Sequence, residues 1–380
     1  MKDRIRIAVV GLRFGRGFPT IYLDHPDVEY VGICDINEKV LEECGDELNI
    51  KRRHNNIDEI MASDEYDAVH ITTPPGSHAE LSVKALDSGK HCACTIPVGL
   101  SIEELEAVVK AQKRNKKNYM MMETAVYTYQ CFYVKELYES GKLGRIQFMR
   151  GAHLQDMENW PDYWKGFPPL KHITHAISPI LWISDSKAVK VHCFGTGFMR
   201  DELIGVYNNP FPIETAIFKL DKEKLCVEVT RNMFHMARPY CETFSVYGEK
   251  MSFEWQMENE DGYLFEKGEL NKALRGTPMK IRRIKPPSYE KLLPASLHKY
   301  TKYTEVPDPE NPQSTMKKGT GHHGSHPHLV NEFVRSIIEH RLSAIDAVKA
   351  SNWTAAGICA HESAMKDGDE VLVPDFNEVC

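Results

Sequence analysis

What this 380-residue sequence lacks narrows it before what it contains. No apolar run reaches the roughly 20 residues that a bilayer-spanning helix needs, so no membrane span is predicted. No Cys-x-x-Cys pair occurs, and the ten cysteines are scattered, with Cys92 and Cys94 alternating on one expected strand. That pattern excludes a zinc ribbon and a secreted disulfide frame, and reduced thiols in a cytoplasmic protein are expected instead. Concentrated positive charge is missing as well: 47 lysines and arginines face 54 aspartates and glutamates, for a formal charge of -7 and a pI near 6.2. Nucleic acid and anionic membrane are therefore excluded as partners, because both need a basic surface that displaces counterions. A neutral or weakly polar small molecule fits better. Internal repeats and low-complexity tracts are also absent.

What remains is the composition of a globular protein, 42% hydrophobic, 27% charged and 9% aromatic, long enough for two domains that share a cleft. The opening Met1 to Val10 is too short for a signal-peptide core, and Gly11 to Gly17 punctuate it, which predicts a first β-strand. Short apolar runs at Ile5–Val10, Glu29–Cys34, Asp67–Thr72, His91–Cys94 and Tyr119–Met122 read as strands buried on both faces. Helical patterns separate them at Ile36–Leu48, Ser77–Ser88 and Ser101–Arg114, the last with an N-cap serine ahead of acidic residues. This rhythm implies a doubly wound parallel sheet over residues 1–125. From 126 to 380 the pattern changes to a second α/β domain. It has a linking helix at Tyr127–Ser140, a strand at Arg145–His153, a helix from Ile173, and alternating runs at Glu214–Leu220, Leu225–Arg231 and Thr243–Tyr247. Those runs predict an open, mostly antiparallel sheet. Residues 271–320 are polar and proline-bearing and read as a long excursion, after which Leu329–Glu339 and Ala344–Met365 return as helices and Val371–Phe376 as an extended end.

Ile7 to Gly17 is a strand running into a glycine-bearing turn and then a helix. Glycine is needed there so that the backbone can approach a pyrophosphate whose charge rests on a helix N-terminus. The turn departs from the usual Gly-x-Gly-x-x-Gly: Arg13 takes the second glycine's place and Arg16 the third's, with Gly15 and Gly17 displaced. Asp35 follows the second strand at the distance expected of the carboxylate that holds an adenine-ribose hydroxyl. It would repel a 2'-phosphate, so the pattern predicts a Rossmann domain binding NAD rather than NADP. The simpler alternative for Asp35 is a helix N-cap.

The stretch Asp67 to Pro97, with Thr72-Thr73-Pro74-Pro75-Gly76-Ser77-His78, Ala85-Leu86 and Gly89-Lys90-His91, resembles the Gfo/Idh/MocA oxidoreductase family, over nearly the whole chain. In that family the next strand usually ends Glu-Lys-Pro, and the lysine helps to deprotonate a sugar hydroxyl. Here the place reads Thr95-Ile96-Pro97. The departure points to one branch. Met121-Met122-Glu123 with Tyr127, Gly151-Ala152-His153, Thr174 to Pro179, Gly321 to Gly324 and Val373 to Phe376 resemble the NAD-dependent α-N-acetylgalactosaminidases, which also lack the lysine. Bacterial glycoside 3-dehydrogenases look similar in style. The resemblance implies cofactor contacts at Gly11, Phe14, Gly15, Arg16, Asp35, Thr73, Pro74, Pro75, His78, Thr95, Ile96, Glu123 and Thr124. It implies sugar contacts at His153, His172, Thr174 and His175; Tyr127, Gln155, Trp160 and Trp164 are further candidate sugar contacts, and His172 and His175 the catalytic candidates. His153 and His172 stand where the glycosidases carry tyrosines, so hydrolysis itself is in question.

Oxidising a secondary alcohol with NAD needs a base for the hydroxyl proton, and histidine suits that task. Lys171-His172-Ile173-Thr174-His175 offers two histidines at the start of a helix, with Lys171 placed to lower their pKa and to replace the ammonium lost at Ile96. The plain alternatives are a cap or core role for the histidines, and ordinary core for Trp160, Tyr163, Trp164 and Phe167, whose other use is a sugar platform. His322, His323, His326 and His328 form the densest histidine run, yet no nearby Cys, Asp or Glu completes a familiar ligand spacing, and no metal is expected. Three functions are carried forward: glycoside oxidation at carbon 3, a glycoside hydrolase that reduces NAD only transiently, and a non-catalytic NAD sensor. An open sheet needs its other face covered, so a homodimer or homotetramer is expected.

Overall fold

The computed structural model describes residues 4–222, 224–257, 260–273, 275–307, 315–319 and 321–379, apart from the side chains of 303–307, 315–319, 321 and 323. Its chain forms two compact units. The first comprises Met1–Thr128, Ser288–Ser351 and Phe376–Cys380, the second Tyr129–Pro287 and Asn352–Asp375. A single break near residue 125 was the simplest expectation; the structure adds that residues 288–351 fold back onto the first unit.

In the first unit six strands run parallel: β1 (Ile5–Val10), β2 (Val28–Cys34), β3 (Arg53–His54), β4 (Ala68–Ile71), β5 (His91–Cys94) and β6 (Tyr119–Met121). Their order is β3-β2-β1-β4-β5-β6, the doubly wound arrangement. Ile7, Ala8, Val9, Ala68, Val69 and Ile71 are fully buried, as an apolar strand covered on both faces must be. Helix Ile102–Asn115 starts where expected, with Ser101 Oγ accepting from Glu104 N at 3.3 Å. The two-residue β3 has no periodicity to reveal it, and helices Phe18–Leu23 and Ile57–Ala62 are too short to show a face.

The second unit holds a nine-stranded sheet. Its strands are β7 (Ile146–Leu154), β8 (Ala188–Thr196), β9 (Ile213–Leu220), β10 (Cys226–Asn232), β11 (Cys241–Gly248), β12 (Met251–Trp255), β13 (Gly262–Lys267), β14 (Met279–Ile284) and β15 (Val371–Leu372). They lie in the order β14-β13-β12-β11-β7-β10-β9-β8-β15, antiparallel except where β7 meets β10. β14 and the hairpin Tyr303–Pro307 with Thr315–Gly319 give the polar 271–320 stretch more regular structure than an excursion would have. Helix Thr174–Ser184 covers one face of the sheet. It comes so close to β7 that a Cβ on Gly151 would lie 2.1 Å from the Ala176 carbonyl oxygen, which is why this strand position must be glycine.

Candidate functional site

In the first unit the chain reverses direction across the sheet between β1 and β4, the switch point at which doubly wound folds bind ligands. Gly11 leaves β1 with φ +94°, and a Cβ there would stand 2.9 Å from the Thr72 carbonyl oxygen just past β4. A Cβ on Gly15 would collide with Thr72 Oγ1, which donates to the Val10 carbonyl at 2.9 Å and also reaches that of Gly11. The two glycines therefore let the loops after β1 and β4 close together. Asp35 is buried, its Oδ2 accepting from Leu12 N at 2.7 Å and its Oδ1 from Asn37 N at 2.8 Å. The next helix, Glu38–Glu47, is capped by Asn37, whose side chain accepts from Val40 N. Asp35 is therefore not that helix's N-cap. It anchors the glycine turn, and its oxygens keep lone pairs for a ribose hydroxyl. Beside it Ile36 is 93% exposed, and in the turn Phe14 is 57% exposed, so apolar surface is available for a base. These residues fit a dinucleotide.

Exposure divides the predicted cofactor contacts. Phe14, Arg16 and Pro74 are exposed and Gly11 and Thr73 half-buried, whereas Gly15, Asp35, Pro75, His78, Thr95, Ile96, Glu123 and Thr124 are buried. Arg16 pairs with Glu47. Thr73 Oγ1 and Ser77 Oγ are 2.7 Å apart, and Glu123 Oε1 accepts from Ala125 N at 2.9 Å. His78 places Nδ1 2.8 Å from the Pro97 carbonyl and Nε2 2.7 Å from that of Thr73, holding the two loops together. Burial pulls the His78 pKa down, but Cys94 and the two carbonyls outweigh it and raise it to about 9. Tyr127 is buried in this unit, in the short 3-10 turn Ala125–Tyr127.

The second unit gathers the histidines. Register places Glu214 on β9 opposite Arg231 on β10, Arg231 opposite His153 on β7, and His153 opposite Glu242 on β11. All four are buried on one face of the sheet. Glu214 Oε2 accepts from Leu170 N at 2.7 Å and its Oε1 is 2.6 Å from His361 Nδ1, which fixes the turn Pro169–His172 against the sheet. Gly151, two residues before His153 on the same face, sets the helix that carries Thr174 and His175 down on that row.

The imidazoles converge. His153 and His175 have ring centroids 4.9 Å apart, His172 and His175 5.3 Å, and one nitrogen from each of the three lies within 4.8 Å of the others. His175 Nδ1 is 3.2 Å from Glu242 Oε1, to which the Tyr240 hydroxyl also donates. A carboxylate at Nδ1 holds the proton there and leaves Nε2 as the basic nitrogen. Burial, and after it the Arg231 charge, push the His172 pKa well below its ordinary value. Arg231 is a cation acting on His172, and Lys171, to which the sequence pointed, is half-buried at the adjacent position. Arg231 itself is fully buried, and burial lowers its pKa to about 9; its Nη1 donates to the His153 and Asn232 carbonyls. Trp164 is buried with its ring 5.2 Å from that of His172, Trp160 is 42% exposed, and Gln155 is half-buried just past β7.

Sequence reasoning missed Glu214, Arg231, Tyr240, Glu242 and His361. A signal existed for three of them: Glu214, Arg231 and Glu242 share parity with Ala216, Val229 and Phe244, so each is a charge at an inward strand position. The run at 322–328 does not gather into a metal-binding group of its own among the described residues. His322 and His326 have rings 5.7 Å apart, His326 packs on Phe18, and the His323 side chain lies outside the described residues.

Residues 5–123 match the model of the oxidoreductase family with an NAD-binding Rossmann fold, GFO_IDH_MocA. A "Glycosyl hydrolase family 109 protein" of Porphyromonas gingivalis is 21% identical over 98% of this chain and 85% of its own length. Relatives of similar name align over 43% of this chain and 38% to 40% of theirs. Among solved structures, a levoglucosan dehydrogenase in complex with NADH and L-sorbose has a TM-score of 0.76 at 17% identity, over 98% of this chain and 100% of that one. An oxidoreductase from Agrobacterium radiobacter, in complex with NAD+, L-tartaric acid and magnesium, has a TM-score of 0.74 at 15% identity, covering 99% and 100%. At these identities the structures establish the fold. Residues 5–123 thus match the NAD-binding Rossmann domain of the Gfo/Idh/MocA oxidoreductase family.

Proposed function

We propose that this protein uses NAD to oxidise a secondary hydroxyl, that at carbon 3, of a sugar or glycoside. The observation that carries the proposal is the His175–Glu242 pair among the buried histidines of the second unit. A hydroxyl barely ionises near neutral pH, so a base must take its proton as the hydride leaves. Glu242 orients His175 and offsets the charge of the imidazolium that forms. The hydroxyl proton goes to His175 Nε2, the hydride on the same carbon goes to the nicotinamide, and a ketone and reduced cofactor result. His153, His172, Thr174, Gln155, Trp160 and Trp164 are the proposed sugar contacts in this unit and Tyr127 in the first, with Lys171 adding positive charge. NAD is held at Gly11, Gly15, Asp35 and the Thr73–His78 turn. The sugar class rests on the names of the relatives, among them a levoglucosan dehydrogenase.

A second reading is favoured by the glycosyl hydrolase name of the relative that aligns over 98% of the chain. A ketone at carbon 3 acidifies carbon 2, loss of that proton expels the group at carbon 1, water adds, and the ketone is reduced again. One assay separates the two: a panel of free sugars and O- and C-glycosides incubated with NAD. Net growth of the reduced-nicotinamide band supports oxidation, and aglycone release without it supports hydrolysis. Tight NAD binding with neither would leave a sensor. The proposed partner is a second copy of the chain. Phe194, Ile217 and Ile281 are exposed on the outward face of the large sheet, and light scattering tests whether they pair dimers or tetramers.

A further inference from the structure

Three features of the histidine cluster go beyond what a general base requires. First, the ligand nitrogens of His153, His172 and His175 come from three separate elements, a strand, a 3-10 turn and a helix, yet lie within 4.8 Å of one another, all buried. Nitrogens bound tetrahedrally at about 2.0–2.1 Å from a zinc ion are about 3.4 Å apart, so small ring rotations close the set. Secondly, Glu242 and Tyr240 form the kind of outer support that metal-bound histidines almost always have, a carboxylate on Nδ1 of His175. Thirdly, His172 Nδ1 is buried without a hydrogen-bond partner among the described residues, and an imidazole nitrogen left so is costly unless something occupies it.

We propose that His153, His172 and His175 bind one divalent transition-metal ion of the zinc, cobalt or nickel kind. Three neutral imidazoles without a thiolate suit those ions, and a three-ligand set leaves a coordination position open, the pattern of catalytic rather than structural sites. The opposing charge is Arg231, which adjoins His153 in the same row. Its Nη1 is taken up by two carbonyls, and Glu214 and Glu242 stand on either side of the Arg231–His153 pair, so two carboxylates offset one guanidinium, and His361 adjoins Glu214. The chemical role of the ion rests on the oxidation proposed above, although its binding does not. The open position takes the carbinol oxygen, whose proton then leaves to water because the ion lowers its pKa, and the hydride leaves carbon for NAD as before. The ion thus assumes the ionising task otherwise given to His175, in a chain that has isoleucine at position 96.

The test uses untagged full-length protein, stripped with a chelator and reloaded with zinc or cobalt. Elemental analysis is expected to find one ion per chain, and cobalt is expected to give the visible bands of a low-coordinate nitrogen site. His172→Ala and, as a milder change, His153→Gln should each lower metal affinity at least about hundredfold while NAD affinity stays as in the parent. Stripping should reduce glycoside oxidation about hundredfold, with recovery on reloading. Failure of the stripped parent to take up either ion, or undiminished uptake by both variants, overturns the site. Stripped protein that oxidises glycosides at full rate overturns the ion's chemical role and leaves the oxidation standing. Stoichiometric uptake with no glycoside oxidised supports the site and overturns the oxidation.

Discussion

The six-stranded sheet of the first unit carries its chemistry beyond its strand ends, in backbone turns at Gly11, Asp35 and Thr73. The nine-stranded sheet of the second unit carries its proposed site inside the strands, as a row of buried charged and titratable side chains from Glu214 to Glu242. A site made of backbone depends on glycine and tolerates much side-chain change, since a dinucleotide phosphate is met by N–H groups. A site made of buried side chains depends on each partner, because removing one strands the others in a low dielectric. Substitutions in the two units should therefore fail in different ways.

The largest contrast is expected from His175→Ala and Glu242→Gln. Turnover should fall about 10³-fold in the first and somewhat less in the second, with NAD affinity unchanged in both. A parallel loss of NAD affinity, read by fluorescence of the bound reduced cofactor, would break the comparison. Arg231→Ala comes next: loss of a fully buried guanidinium should cost about 3–5 kcal/mol of stability, measured by denaturant unfolding, and turnover with it. Gly11→Ala should cost about 1–3 kcal/mol, because φ +94° and the Thr72 carbonyl at 2.9 Å leave no place for a methyl group, and here NAD affinity is what weakens. Lys171→Ala should lower turnover about tenfold and cofactor affinity much less; normal turnover would remove this lysine from the mechanism.

The smallest effects, per group and per pH unit, come from buried histidines of the first unit. His78, raised to about 9, adds stability that is complete below the unfolded pKa near 6.5 and is lost as pH rises through 9. Burial has the opposite effect on His70 and His328, lowered to about 3 and about 4. They stay neutral while the unfolded chain takes up protons, so their contribution is present above 6.5 and declines as the pH falls toward those values. Each slope is at most about 1.4 kcal/mol per pH unit. The gap between the unfolding free energies of the parent and His78→Asn should narrow from pH 6 to 9, as this contribution is lost on the alkaline side.

The parallel sheet was legible because Ile5–Val10 and its counterparts are continuous apolar runs, and the glycine turn and Asp35 follow from their positions after two of them. Ser101 announced its helix through a side chain that caps it. His172 and His175 were legible as neighbours in the chain. Glu242 was not, because the reading began that strand at Thr243 and so left the charge outside it, whereas β11 starts at Cys241 and turns Glu242 inward with Phe244. The pairing of Arg231 with His153 joins residues far apart in sequence, across the parallel contact of β7 with β10, and local pattern holds no information about which strands become neighbours. The return of residues 288–351 to the first unit is hidden for the same reason.

The row from Glu214 to Glu242 also limits how such a protein can diversify. Because strand side chains alternate, deleting or inserting one residue within β7, β10 or β11 would turn His153, Arg231 or Glu242 out of the interior and bring an outward neighbour such as Ala152, Thr230 or Thr243 in. Changes of side chain in this row are therefore reachable by point substitution along these strands, while length changes are confined to the connecting turns.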